Sequence, residues 1–164
     1  MCSMCRSCHE TTVHLFFEWA FALKLWNWLA CILHTSMKIN SMDDSWLIID
    51  RQWSPQCKMM VKASVFNIID TIWLSINLNK FQDKVLNWRS AINLIIAKVS
   101  LYGKNTMKAS HISMDEFRRT KACHVNIIPS RAPIREVIWS PPICPWRASV
   151  KNLVKTSYGG IFRN

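Results

Sequence analysis

PQCKMMVKASVFNIIDTIWLSINLNKF, residues 55–81, decides the fold. Met59, Val65, Ile69, Ile72 and Ile76 recur at helical spacing and make an apolar stripe. Ser54-Pro55 suits a helix start, because proline at the first helical position has no N–H to leave unsatisfied. The stretch predicts one helix from Pro55 to about Phe81. Downstream, Trp88, Ile92, Ile95, Ile96 and Val99 predict a second helix over Val85–Leu101, ended by Gly103-Lys104-Asn105. The matching stripes predict that the two helices pack together, each large apolar side chain contributing about 1.5–3 kcal/mol on burial. Upstream, Ser41 or Asp43 can cap a short helix through Trp46, Ile49 and Trp53, with Thr35–Asn40 as a loop. From Phe16 to about Leu33 the pattern is again helical, with Phe17, Phe21, Leu25, Trp28 and Leu29 on one face.

Residues 103–112 read as an exposed linker. Ser113-Met114-Asp115-Glu116 has the form of a capping box and predicts a short helix to about Cys123. Beyond it, Pro129, Pro133, Pro141, Pro142 and Pro145 forbid continuous helix. Glu136–Trp139, Ser149–Val154 and Gly160–Arg163 are short strand candidates. The chain shows no internal repeat.

Half of the 164 residues are apolar, so a core is affordable, and three glycines and six prolines exclude a low-complexity chain. Nine tryptophans require a core or a partner to cover them. The net charge of +11 suits an anionic partner such as nucleic acid or anionic lipid, and is equally consistent with a plain basic surface. The tail Val137–Asn164 holds Arg147, Lys151, Lys155 and Arg163 and no carboxylate. Seven cysteines is an odd number, and no signal peptide precedes them. Reduced thiols or a metal site in an intracellular, reducing compartment are expected rather than a disulfide scaffold. Cys31, Cys57, Cys123 and Cys144 are expected to serve as small buried hydrophobes. Leu15–Leu33 is long enough to suggest a membrane span, but Glu18 and Lys24 lie in it, and a central charge costs about 2.5–3.5 kcal/mol. A membrane partner is therefore not expected.

Cys2 and Cys5 have the spacing C-x2-C, which lets one tight turn offer two thiolates to a tetrahedral ion, and His14 can be the third ligand. A closed structural site needs a fourth ligand, and position 19, the natural place for it, is Trp19. Cys8 or His9 could substitute only with strain, being inside the Cys5–His14 loop. Two outcomes stay open: zinc held by Cys2, Cys5 and His14, or an unmetallated terminus.

The run Cys2-Ser3-Met4-Cys5, Glu10 to Glu18 with its HLFF motif, Phe21-Ala22 and Leu25-Trp26 resembles the zinc-binding domain of plant non-LTR retrotransposon reverse transcriptases. That family's pattern ends in a cysteine where Trp19 stands. Ile72-Trp73 and Asn77 resemble the helical segment that follows, with Ile76 where the family has arginine. Ile138-Trp139-Ser140-Pro141-Pro142 with Pro145-Trp146 resembles the lead-in to the ribonuclease H domain of those elements, and Gly159–Asn164 its second strand. The resemblance runs nearly end to end, and its motifs are specific together and weak singly. It implies a mainly α chain in three parts: a zinc-knuckle-like N-terminus with its helix (1–34), a helical connecting region (35–124) and a short β remnant of a truncated ribonuclease H-like fold (125–164).

Ribonuclease H chemistry needs carboxylates converging on two divalent metals. The resemblance puts the first of them in an N-T-D-G stretch, where this chain reads Val154-Lys155-Thr156-Ser157-Tyr158-Gly159 with no aspartate. No catalytic residue and no magnesium site are therefore expected. The other candidates read as structural: Asp43-Asp44 as helix N-terminal charge, His111 and His124 as surface residues, Ser113 as a cap. Gly159-Gly160 lacks the rest of a phosphate loop. In the basic tail, Trp139, Trp146, Tyr158 and Phe162 lie among cations, a mixture that can stack on and neutralise single strands or simply pack in a sheet fragment. The expected function is that of a non-catalytic, retroelement-derived fragment with at most weak, sequence-independent nucleic-acid binding through Arg147, Lys151, Lys155 and Arg163 and no small-molecule substrate; the alternatives are a ribonuclease H-type RNA–DNA hybrid endonuclease, the activity the resemblance implies, and a membrane-associated protein using residues 15–33.

Overall fold

The computed structural model describes residues 1–128 except 3, 37 and 105–112. A π-helical turn (His14–Glu18) leads into α1 (Ala20–Ile32), followed by α2 (Met42–Ile49), α3 (Pro55–Gln82), α4 (Trp88–Lys104) and α5 (Met114–Ala122). The described part is mainly helical, and among the described residues there is no strand. The three strand candidates of the C-terminal β remnant lie outside the described residues.

The 28-residue α3 is the axis of the fold. Ser54 caps it, its Oγ accepting from the Cys57 N–H at 3.3 Å, and Pro55 follows at the first position. It ends at Asp83, whose φ of 51° turns the chain out of the helix. α3 touches the π-turn and every other helix, and α4 most extensively. Its buried surface is consequently wider than a single stripe. Met60, Val61, Val65, Ile68, Ile72 and Ile76 are buried, while Met59 and Ile69 sit half-covered at the edges. The expected pairing of α3 with α4 is present, with Ala91, Ile92, Ile95 and Val99 as the buried face of α4.

Several boundaries differ from the sequence expectation. α4 begins at Trp88, not Val85, because the Asn87 Oδ1 accepts from the Arg89 N–H at 2.8 Å and caps it; Val85 is exposed in the connecting turn. α2 stops at Ile49, and Trp53 lies beyond it with its indole N–H donating to the Ile48 carbonyl at 2.7 Å. The ring thus satisfies one of the carbonyls left over at a helix end. At the start of α2 the Ser41 Oγ accepts from the Asp44 N–H, and the Asp44 carboxylate accepts from the Asn40 N–H. The Asn40 N–H, then Ser41, hold the Asp44 carboxyl below the usual carboxylate value.

Gly103 does not stop α4 as a left-handed cap. It lies inside the helix, where a Cβ would meet Val125 Cγ1 at 2.5 Å, so its role is to admit the returning chain. Gln56 holds that chain, its Nε2 donating to the Asn126 carbonyl at 2.6 Å and its Oε1 accepting from the Ile128 N–H at 3.1 Å. The Ser113–Glu116 box is likewise put to another use. Ser113 precedes α5 without a side-chain cap bond, and the buried Glu116 accepts from the Ser54 N–H of α3 at 2.9 Å. α5 is thereby fastened to the start of α3.

The apolar run Leu15–Leu33 is not one helix. The π-turn ends at Trp19, whose ψ of 133° breaks the backbone, and α1 then has 13 residues. At about 1.5 Å per residue that is shorter than the roughly 30 Å of a bilayer core. The break also resets the helical phase: Trp26 is buried, whereas Phe21 and Trp28 of the expected stripe are half-covered. Among the described residues α3 is long and apolar enough to cross a membrane, and 56% of its most apolar window is buried inside the protein.

Candidate metal centre

The N-terminal loop folds back on itself through its backbone. The Cys2 N–H donates to the Cys8 carbonyl at 2.7 Å and the Arg6 N–H to the Cys2 carbonyl at 2.9 Å. Arg6 has a φ of 57°, a conformation that costs a non-glycine residue roughly 1–3 kcal/mol and that reverses the chain after the second cysteine. The Met4 N–H points at the Cys2 sulfur, 3.4 Å away. The loop then enters the π-turn. The Thr11 Oγ1 accepts from the His14 N–H at 3.1 Å, and the turn is closed by the Trp19 N–H on the His14 carbonyl at 2.7 Å. A Glu10–Lys80 ion pair at 3.7 Å links the loop to the end of α3.

This folding brings Cys2, Cys5 and His14 to one point, with their ligand atoms all within 4.8 Å of one another. The Cys5 Sγ lies 3.2 Å from the His14 Nε2. A tetrahedral zinc ion with Zn–S of about 2.3 Å and Zn–N of about 2.0–2.1 Å has ligand–ligand edges of about 3.5–3.8 Å. Small adjustments of three side chains bring this set to that geometry. The donors are soft sulfur and imidazole, which suit zinc and not magnesium. Cys2 and His14 are buried and Cys5 is half-buried, so the group is shielded on the protein side.

The neighbours of Cys5 favour its thiolate. The Ser7 hydroxyl and then the Ser7 N–H hold its thiol down at about 6, with Cys8 and His14 adding less and burial opposing them. The thiolate is the metal-binding form. His14 is raised above its ordinary value, first by its bond to Cys5 and then, against burial, by Glu18.

Cys8 and His9, the candidate substitutes for a fourth ligand, are exposed and outside the group. Trp19 lies tilted against Phe21, with ring centroids 4.9 Å apart and planes 33° from parallel, and packs on the core. Among the described residues no other group of three histidine, cysteine or carboxylate side chains comes together in this way. Of the isolated cysteines, Cys57 and Cys123 are buried, and burial pushes their thiols up to about 12 and about 11. Cys31 is exposed, contrary to expectation, because it falls on the outer face of α1. Cys144 and the four basic residues Arg147, Lys151, Lys155 and Arg163 lie outside the described residues. Glu18, absent from the sequence-based site, places its Oε2 3.3 Å from the His14 Nδ1; its only sequence signal is the spacing of four residues from His14.

No family model, curated protein or solved structure matches this chain.

Proposed function

We propose that this chain is a zinc-holding, non-catalytic fragment of a plant retroelement polyprotein that binds nucleic acid without sequence preference. The observation that carries the reading is the convergence of Cys2, Cys5 and His14, drawn from positions up to twelve residues apart onto one soft-donor site. Those three residues would hold zinc. The ion supplies cross-linking of the loop to the π-turn, a structural rather than a catalytic contribution. The sequence resemblance supports the origin, and the net charge of +11 supports an anionic partner. In this reading the tail residues Arg147, Lys151, Lys155 and Arg163 neutralise phosphate.

Zinc content settles the first part. The purified protein is expected to carry one zinc per chain, and Cys5→Ser to abolish it with the helical circular dichroism retained. Zinc retained at full stoichiometry in Cys5→Ser would overturn the assignment. A second expectation concerns catalysis. Incubation with a labelled RNA–DNA hybrid and Mg2+ or Mn2+ is expected to leave the RNA strand intact. A two-metal site needs several converging carboxylates, but all ten acidic residues lie at or before Glu136, and the stretch Ser149–Arg163, which should supply the first of them, is entirely basic or neutral. Metal-dependent cleavage that co-purifies with the protein and stops with EDTA would show that the non-catalytic reading is wrong.

A further inference from the structure

We infer that Glu18 is a positioning residue for the metal centre, fixing the tautomer and the orientation of the His14 ring. The inference rests on the zinc reading above and extends it by one residue. The two ring nitrogens of His14 have different partners: Nε2 lies 3.2 Å from the Cys5 Sγ, and Nδ1 lies 3.3 Å from the Glu18 Oε2. A neutral imidazole carries one N–H. With Nδ1–H donated to a carboxylate, the proton that a metal ion would displace is the one on Nε2, whose lone pair then faces the sulfurs, where the ion would sit. A metal-ligating histidine is commonly held in this way by a carboxylate, which selects its tautomer and raises its basicity.

The backbone explains why Glu18 can do this. The Trp19 N–H closes on the His14 carbonyl across five residues, so positions 14 and 18 are the two ends of a single widened turn. The chain then breaks at Trp19 before α1 begins, which makes Glu18 the last residue of the turn. Burial divides the pair usefully. The His14 side chain is 8% exposed and the Glu18 side chain 62% exposed, so the ring is locked by packing while the carboxylate keeps its hydration. An ordinary solvent-exposed pair at this spacing would leave metal binding untouched, and that difference is measurable.

The experiment compares the full-length protein with Glu18→Ala, Glu18→Gln and Cys5→Ser. Zinc affinity is measured by competition with a chromophoric chelator, the coordination by Co2+ absorption, and the His14 tautomer by 15N shifts of the ring in the metal-free protein. Glu18→Ala is expected to weaken zinc binding about 10–100-fold, to shift the Co2+ ligand-field bands while the thiolate charge-transfer band persists, and to move the metal-free ring away from the Nδ1–H form. Glu18→Gln, whose amide oxygen can still accept from Nδ1–H, is expected to recover part of the affinity. If Cys5→Ser abolishes binding while Glu18→Ala changes neither affinity nor tautomer, the role of Glu18 is refuted and the zinc site stands. If Cys5→Ser binds zinc as the native chain does, the site itself is refuted and the role of Glu18 falls with it.

Discussion

Trp26→Ala is expected to destabilise the protein by about 3–5 kcal/mol, a large share of the roughly 5–15 kcal/mol that separates folded from unfolded domains. Trp26 is the largest fully enclosed side chain of the described core, at 2% exposure. Its ring stacks on Phe17, with centroids 5.5 Å apart and planes 12° from parallel, and its indole N–H donates to the Phe16 carbonyl at 2.8 Å. Both contacts are to the π-turn that carries His14. Truncation therefore leaves a cavity beneath the turn and removes the partner of a backbone carbonyl. Trp26→Phe separates the two effects, since it keeps most of the volume and loses the hydrogen bond at a cost of about 1–3 kcal/mol. Urea unfolding followed by circular dichroism reads both variants. A Trp26→Ala midpoint shift worth less than about 1 kcal/mol would mean that the π-turn is not packed on α1 as described, since buried tryptophan truncations cost several times that amount.

Trp19→Cys is expected to tighten zinc binding on the order of tenfold or more, because a third thiolate closes a tetrahedron that Cys2, Cys5 and His14 leave open. Position 19 is adjacent to the candidate site through its backbone, the Trp19 N–H bonding to the carbonyl of His14. The substitution also removes the Trp19–Phe21 contact, so part of the gain is offset by lost packing. Trp19→Ser is the control that loses the ring without adding a sulfur, and it is expected to bind no more tightly than the native chain. Co2+ loaded into Trp19→Cys should show stronger sulfur charge-transfer absorption than the native protein. Equal affinity and equal absorption in the cysteine and serine variants would mean that the site does not close at position 19.

The apolar spacing of residues 55–81 and Ser54-Pro55 determined α3 by themselves, because helix entry and periodic burial are short-range effects of sterics and side-chain polarity. C-x2-C followed by His14 was likewise legible, since the chemistry of thiolate and imidazole is carried by residue type and spacing alone. Other residues had two uses open to them, and only tertiary structure chose between them. Glu116 could cap its own helix or reach the Ser54 N–H, and it takes the latter because α5 packs at the start of α3. Gly103 could end α4 or make room, and the approach of Val125 decides for room. Glu18 could lie wholly in water or also reach His14, and the π-turn with its break at Trp19 brings it to His14. A sequence specifies which hydrogen-bonding groups and how much volume each residue brings. Which donor is left without a partner, and which gap must stay open, depends on chain segments far apart in sequence, and is settled only when those segments pack.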